Sequence, residues 1–267
     1  MPKRSTLQTL GGAVEGFRDF AAAIKSGVPT VRKGSMAEED QALAGNIVIP
    51  HAIVSGLVLT AADHVSAWAE LAASPEENVL LLQMQADYTL FRPVLEGLVE
   101  LIWILDGTDS STRVRRALEI ARIEYRHGLK LTNALRKAQT PDDRTEQGIA
   151  ALGRFLRTTA TNLGSDPEDV LSAPLIDPSS ITRKIASRVP GPTLRTFNYW
   201  AITSAHAHGQ FITTLRHAIE TRPSTPQMGR TLYEPDEELI ADLIEFIGTL
   251  LEIAINLLNE QGYELRR

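Results

Sequence analysis

The sequence predicts an all-α protein, a single helical bundle of about seven to eight helices. Apolar residues recur at three- and four-residue spacing along most of the chain, and alternating β-branched runs are scarce. Hydrophobic residues make up 43% of the 267 residues, enough for a sizeable core. The broad apolar faces of the late helices need partners, so we expect one domain over residues 1–267, with the proline-rich stretch 165–193 as a loop inside it.

Helix start and stop signals place the first four helices at about residues 7–24, 47–72, 77–105 and 110–139. A polar linker at residues 32–40 separates the first two. The fourth has good N-cap residues in Asp109, Ser110 and Ser111, because short polar side chains accept hydrogen bonds from the first turn. The first three end at sequences that interrupt helices: Gly27–Pro29, Ser74–Pro75 and Asp106–Gly107.

The second half of the chain predicts four more helices. The fifth begins at Thr140–Pro141–Asp142, since proline is favoured in a first helical turn, and ends at residues 162–164. A short sixth helix covers residues 179–187 within the proline-rich loop. The seventh runs over residues 194–220. The eighth starts near Pro235 and ends at Gly262, which is predicted to be its C′ glycine.

Composition excludes several classes of protein. The chain has no cysteine, which excludes disulfides, thiolate nucleophiles and cysteine-bound zinc. Its net charge of −6 is unlike that of a protein that binds nucleic acid with its whole surface. The longest apolar stretch, residues 80–105, contains four charged residues, each costing roughly 2.5–3.5 kcal/mol at a bilayer centre. We therefore expect a cytoplasmic protein with no membrane contact and no cofactor.

A line of polar residues on the third helix is the most informative pattern. It consists of Gln85, Thr89, Arg92, Glu96 and Glu100, spaced four, three, four and four apart. An α-helix turns about 100° per residue, so these residues share one strip of an otherwise apolar helix. Charged side chains on a core helix must be solvated, paired or used in function.

Two other helices carry polar residues on apolar faces. His64 lies on the apolar face of the second helix, and Ser204 and His208 lie on that of the seventh. His206 is two residues from His208, so its ring points to the opposite side. We therefore expect five residues to meet in the interior: His64, Arg92, Glu96, Ser204 and His208. Arg92 and Glu96 are four residues apart on one helix, so they can pair with each other.

Three interpretations of this cluster remain open. It is a structural group of polar residues that fixes helix register, a solvated strip, or a functional site. For the functional site, two histidines and one carboxylate, from His64, His208 and Glu96 or Glu100, suit iron or zinc.

The fourth helix is strongly basic, with eight basic and two acidic residues in the range 113–137. Such a face is either solvated and paired with acidic neighbours, such as the last helix, or a stripe that tracks the phosphates of RNA or a nucleotide. Within it, Arg122 and His127 form an Arg-x4-His pattern, although on a regular helix they lie about 140° apart.

Two segments carry a resemblance to known proteins. One runs from Arg92-Pro-Val-Leu-Glu96 to Trp103-Ile-Leu-Asp106, and the other from Tyr199 through Ser204-Ala-His-Ala-His208 to Gly209. They resemble a group of bacterial helical proteins in which an Arg-x3-Glu helix precedes a distant Ser-x3-His-Gly helix. That group is itself similar to HEPN domains (higher eukaryotes and prokaryotes nucleotide-binding).

The resemblance implies a helical bundle, commonly dimeric, that cuts RNA without metal. In HEPN ribonucleases an Arg-x4–6-His motif does this, with histidine moving the proton and arginine steadying the phosphate. His208 fits the histidine, but Thr203 stands five residues before it, where arginine belongs. Arg122 and His127 keep the pattern on another helix.

Three functions follow from these patterns. The first is a HEPN-like, RNA-directed, metal-independent endoribonuclease of a toxin or phage-defence type, acting as a homodimer. Its candidate catalytic residues are His208, Ser204, Arg92, Glu96, His64, Arg122 and His127. The second is a non-catalytic helical binding or oligomerisation module, favoured by the broad apolar faces and by the absence of a strong catalytic motif. The third is a metal-dependent enzyme with a site of two histidines and a carboxylate in the bundle core.

Overall fold

A computed structural model describes residues 4–46, 49–73, 80–83, 85–210, 218–221 and 232–265. It is all-α, as predicted, with ten helices in these residues packed in one body. The helices are α1 (Arg4–Lys25), α2 (Met36–Leu43), α3 (Ile49–Ala72), α4 (Ala86–Leu105), α5 (Ser110–Lys137), α6 (Asp143–Asn162), α7 (Pro167–Ser172), α8 (Pro178–Lys184), α9 (Arg195–Ala207) and α10 (Glu237–Gln261).

Two short antiparallel strand pairs accompany the helices. β1 (Thr30–Val31) pairs with β4 (Tyr263–Glu264), which brings the chain after α10 back to the end of α1. β2 (Ala218–Thr221) pairs with β3 (Leu232–Pro235) between α9 and α10. These strands do not change the fold class, because they are short and the core is built from helices.

Helix α4 is the centre of the bundle. It packs against α3, α5, α8, α9 and α10, and thirteen of its residues are buried. Its apolar side chains join the rings of α1 and α3: Phe91 lies 5.2 Å from Trp68 and 6.4 Å from Phe17, measured between ring centres. Such aromatic pairs contribute about 0.5–1.5 kcal/mol each beyond the apolar area they bury. The third predicted helix is thus the core helix.

Aspartates begin five of the helices. Asp109 accepts a hydrogen bond from the Thr112 N–H of α5 at 2.8 Å. Helices α6, α7, α8 and α10 are capped in the same way, by Asp142, Asp166, Asp177 and Asp236. The carboxylate satisfies a first-turn N–H that has no partner within the helix, and it lies at the positive end of the helix dipole. The N-cap prediction at Asp109 is confirmed.

The last helix ends at a left-handed residue. Gly262 has φ of +88°, and a Cβ there would lie 2.2 Å from the Cβ of Ser35. Glycine is required both for the backbone angle and for the close approach of the loop before α2. The prediction of Gly262 as the C′ residue is confirmed.

Four predicted boundaries are wrong. The linker at residues 32–40 contains the start of α2, which Ser35 caps, and a short α7 lies in the proline-rich loop. Helix α4 begins at Ala86 rather than at residue 77. Helix α9 ends at Ala207, thirteen residues before the predicted end. Gly209 there has φ of +64°, a conformation that ends a helix. Residues 47–48, 77–79, 84 and 211–217 of the predicted helices lie outside the described residues.

Within the part of the chain that the structure describes, one helix is long and apolar enough to span a membrane. The segment Pro50–Ala72 of α3 has a mean hydropathy of 1.3, and half of its apolar window is buried inside the protein. A core helix of a soluble protein meets the same criteria. The expectation of no membrane contact rested on the charges in residues 80–105, which lie outside this helix. The cytoplasmic location stays a prediction.

Candidate functional site

The polar strip of α4 meets α9 in a closed cluster of three side chains. Arg92 donates from Nη2 to Glu96 Oε1 at 2.5 Å and from Nη1 to the backbone oxygen of Trp200 at 2.8 Å. The Nε1–H of Trp200 donates to the same carboxylate at 3.3 Å, and the Arg92 Cζ lies 4.3 Å from the centre of the Trp200 ring. The predicted pair of Arg92 and Glu96 forms, and its partner is a tryptophan that was not among the candidates.

Glu100 lies one turn further along the same strip. Burial, followed by repulsion from Glu96 and Glu124, raises the pKa of Glu100 to about 7. A carboxyl that titrates near neutral pH is a candidate general acid or base. However, the gap that Glu96, Glu100 and Trp200 line against α8 has no room for a water molecule. The geometry therefore favours the structural interpretation of this cluster.

Histidine 208 does not lie in the interior, contrary to the prediction. Helix α9 ends one residue before it, and its side chain is exposed. Ser204 is half-buried, and the half-buried His64 places Nδ1 2.9 Å from the Thr60 carbonyl oxygen of its own helix. Among the described residues, no hydrogen bond or ion pair joins these three side chains to Arg92 or Glu96. The expectation that all five residues meet in the interior is therefore wrong for His208. Of the five, only Arg92 and Glu96 are joined by a hydrogen bond or ion pair among the described residues.

Helix α9 buries His206, the first histidine of the His-Ala-His run, instead of His208. His206 is 3% exposed, and its ring stacks on Tyr88 with 4.1 Å between ring centres. The side of α9 that was predicted to face away from the core is buried at Tyr199, Thr203 and His206, so it is a side that faces the core. Beside Tyr88, Asp87 accepts a hydrogen bond from the Gln83 N–H at 2.7 Å, and burial raises the pKa of Asp87 to about 6.

Arg122 and His127 do not converge. Arg122 is 2% exposed and donates to Glu119 at 2.7 Å and to the Ala173 carbonyl oxygen at 2.6 Å. His127 is exposed on another side of α5. The guanidinium thus holds the chain after α7, and within one chain it does not face a site that His127 shares.

The arginines of α5 form hydrogen bonds and ion pairs with the surrounding elements. Arg113 forms two 2.8 Å hydrogen bonds with Asp40 of α2, and both side chains are almost fully buried. Other arginines of this helix bind a backbone carbonyl or a carboxylate. Arg115 binds the carbonyl of Leu163, Arg116 that of Trp103 in α4 and Arg126 that of Leu171 in α7, and Arg136 binds the carboxylate of Glu146. The face does pair with acidic neighbours, at Asp40, Glu119 and Glu146, but the expected example of the last helix is wrong, because the described partners lie in α2, α4, α5, α6, α7 and the adjoining loops.

The predicted metal ligands are not assembled. Within the described ranges, no group of three histidine or acidic side chains is close enough to hold a metal ion. The set of His64, His208 and Glu96 fails because His208 is exposed beyond the end of α9 and His64 bonds to its own helix.

An apolar groove of about 510 Å³ runs between α1 and α10. Its floor includes Phe17 and Leu251, which are 4% and 7% exposed. Gly16 of α1 and Gly248 of α10 both line it, and a Cβ built on either meets no atom within 4 Å. The volume is within the range of about 300–1,000 Å³ that is usual for binding pockets. Sequence reasoning missed this feature.

A signal for the groove was present in the sequence. Four exposed or half-exposed glycines lie inside the two helices that form it: Gly11, Gly12, Gly16 and Gly248. Glycine in a helix interior is less favourable than alanine by about 1 kcal/mol, so several in one helix suggest a packing or functional reason. Only the pairing of α1 with α10 shows that Gly16 and Gly248 open the same space.

Comparison of the chain with protein-family models, curated proteins and solved structures finds no match. The resemblance to HEPN domains therefore stays a prediction that rests on two short segments. Function has to be argued from the geometry of the groove, the cluster at Arg92 and the surface of α5.

Proposed function

We propose that this protein is a non-catalytic helical binding module whose groove between α1 and α10 receives an amphipathic helix. The observation that carries the proposal is the groove itself, an open furrow of about 510 Å³ with an apolar floor. Helix-in-groove recognition places the apolar face of one helix in such a furrow, with anchors at three- and four-residue spacing.

The shape of the groove suits a helix. Its α10 wall is lined at Ile244, Gly248, Leu251 and Ile255, which follow a four-three-four spacing along about three turns. The missing side chain at Gly248 lets a guest helix approach the α10 backbone closely. Glu245 and Glu252 are exposed at the edge of the groove. The guest is therefore apolar on one face and basic beside it.

The test is binding of a designed helical peptide with leucines on one face and lysines beside it. We expect saturable binding by calorimetry, and we expect Gly248→Trp to abolish it because the indole fills the furrow. The matched control is Gly148→Trp, at an exposed glycine of α6 with open space around it. Equal binding by both variants, with both folded by circular dichroism, would exclude the groove as the site.

The RNA-directed endoribonuclease hypothesis stays a prediction. It is favoured by exposed groups on α5: His127 lies beside Lys130, and no hydrogen bond or ion pair of the described chain engages this lysine. Against it stands Arg122, whose guanidinium is already engaged by Glu119 and Ala173. Its test is incubation of the purified protein with labelled RNA in the presence of EDTA. Cleavage that His127→Ala or His208→Ala removes would support it, and intact RNA would exclude it.

A further inference from the structure

Two lysines of α5 differ from its arginines. Whereas the arginines bind carbonyls or carboxylates, no hydrogen bond or ion pair within the described residues engages Lys130 or Lys137. Both lysines are exposed, and they are seven residues apart, about 10.5 Å along a helix. The end of α5 thus presents two unpaired positive charges on one line.

A small apolar face lies next to these lysines. Leu131, Ala134 and Ala138 are all exposed and follow a three-four spacing, with Leu131 52% exposed. About half of the Leu131 side chain is therefore left uncovered by its own chain. In coiled-coil terms the three residues take positions a, d and a, and Lys130 and Lys137 take the g positions beside them.

The groove has the complementary pattern. Along α10, Ile244, Gly248 and Leu251 take positions d, a and d, and Glu245 and Glu252 fall at e. The two glutamates are seven residues apart, as the two lysines are. Charges at e and g pair across helices in coiled coils and select the partner and its orientation. Helix α10 carries six acidic residues and no basic residue, so its surroundings add to the attraction.

We propose that the groove of one copy binds the end of α5, residues 127–138, of a second copy of this chain. The face of Leu131, Ala134 and Ala138 lies along the α10 wall with Ala138 over Gly248, where small residues on both sides allow close approach. Lys130 then pairs with Glu245 and Lys137 with Glu252. This inference rests on the proposed function of the groove and names its occupant. The end of α5 and the groove are two different surfaces of the chain. Two copies can therefore form a closed dimer in which each binds the end of α5 of the other, or further copies can add head to tail.

The contact covers only about three helical turns and is smaller than a standard interface. We therefore expect weak association, with a dissociation constant on the order of 10–100 µM, that weakens as salt screens the charge pairs. Analytical ultracentrifugation over this concentration range is the measurement.

Charge reversal tests the pairing. We expect both Lys130→Glu/Lys137→Glu and Glu245→Lys/Glu252→Lys to be monomeric alone, because like charges then face each other in every contact. Mixing the two variants restores opposite charges in every contact, so we expect a complex to reappear. The control is Arg144→Glu/Arg154→Glu, which changes the net charge equally at exposed arginines of α6 and leaves association unchanged.

Three results would overturn the inference: a wild-type chain that is monomeric at about 100 µM, association that survives both charge reversals, or a mixture that stays monomeric. A separate measurement distinguishes these from failure of the proposed function. If the designed peptide binds the wild-type chain but not Gly248→Trp while the chain is monomeric, the groove binds helices and only the named occupant is wrong. If the wild-type chain and the Gly248→Trp variant associate equally, the groove is not the binding site.

Discussion

The indole of Trp200 covers the guanidinium of Arg92, with 4.3 Å between the ring centre and Cζ. Arg92 also donates to the backbone oxygen of Trp200, and both side chains bond to Glu96. The half-buried charge of Arg92 is therefore paired with Glu96 of its own helix. It is also stacked on Trp200 of α9 and hydrogen-bonded to the backbone of that residue. Since each group depends on the other two, the cluster fixes α9 at one register on α4.

We expect Arg92→Met to lower the free energy of unfolding by about 2–4 kcal/mol. The change leaves Glu96 without its cation and removes one of the donors to the Trp200 carbonyl, which also accepts from the Thr203 hydroxyl. Urea denaturation measures the effect. The comparison variant is Trp200→Phe, which keeps an aromatic ring beside Arg92 but loses the long 3.3 Å hydrogen bond and part of the ring area. If Arg92→Met is no more destabilising than Trp200→Phe, the cluster does not hold the register.

We expect Asp40→Ala to lower the free energy of unfolding by about 3–5 kcal/mol, because it leaves the buried Arg113 without a counter-charge. Chemical denaturation checks this value. The double variant Asp40→Leu/Arg113→Met replaces the whole pair by apolar side chains, so much of the stability should return. The exposed pair of Arg157 and Glu168 is the control, since Glu168→Ala should change stability by less than about 1 kcal/mol. Equal effects at both pairs would contradict this account.

The raised pKa of Glu100 makes stability depend on pH. The folded chain binds this proton more tightly than the unfolded chain does, so the favourable contribution is complete below about pH 4.5 and is lost as pH rises through about 7. We expect Glu100→Gln to be more stable than the wild type by about 1–3 kcal/mol at pH 8 and nearly equal to it at pH 4.5.

Urea unfolding at both pH values gives the difference between the two chains. The control is Glu260→Gln, at an exposed glutamate of α10, which should show no such change with pH. A difference between Glu100→Gln and the wild type that is the same at pH 4.5 and pH 8 would show that the carboxyl titrates normally.

Two glycine substitutions should have opposite effects on the free energy of unfolding. Gly262→Ala forces a side chain into the left-handed region and against Ser35, so we expect a loss of about 2–4 kcal/mol. Gly12→Ala places a methyl group in open space on an exposed helix, so we expect a gain of about 0.5–1 kcal/mol. Thermal unfolding of the two variants tests the pair. A stabilising Gly262→Ala would contradict the close approach to Ser35.

The site was only partly predictable from the sequence. The spacing of Arg92 and Glu96 predicted their pairing, because both lie on one helix and four residues bring them together. The place of His208 could not be predicted in the same way. It depends on where α9 ends, and a helical pattern that continues past Ala207 gives no warning of the left-handed Gly209.

The sequence alone determined the fold class, most helix positions, the aspartate cap of α5 and the C′ glycine, because periodicity, caps and breakers act over a few neighbouring residues. Tertiary structure decided everything that depends on which helices are neighbours. Examples are the tryptophan that covers Arg92, the buried partner of Arg113, and the pairing of α1 with α10 that turns scattered glycines into one groove. The physical reason is that packing brings together residues far apart in the chain, and no local pattern records the partner.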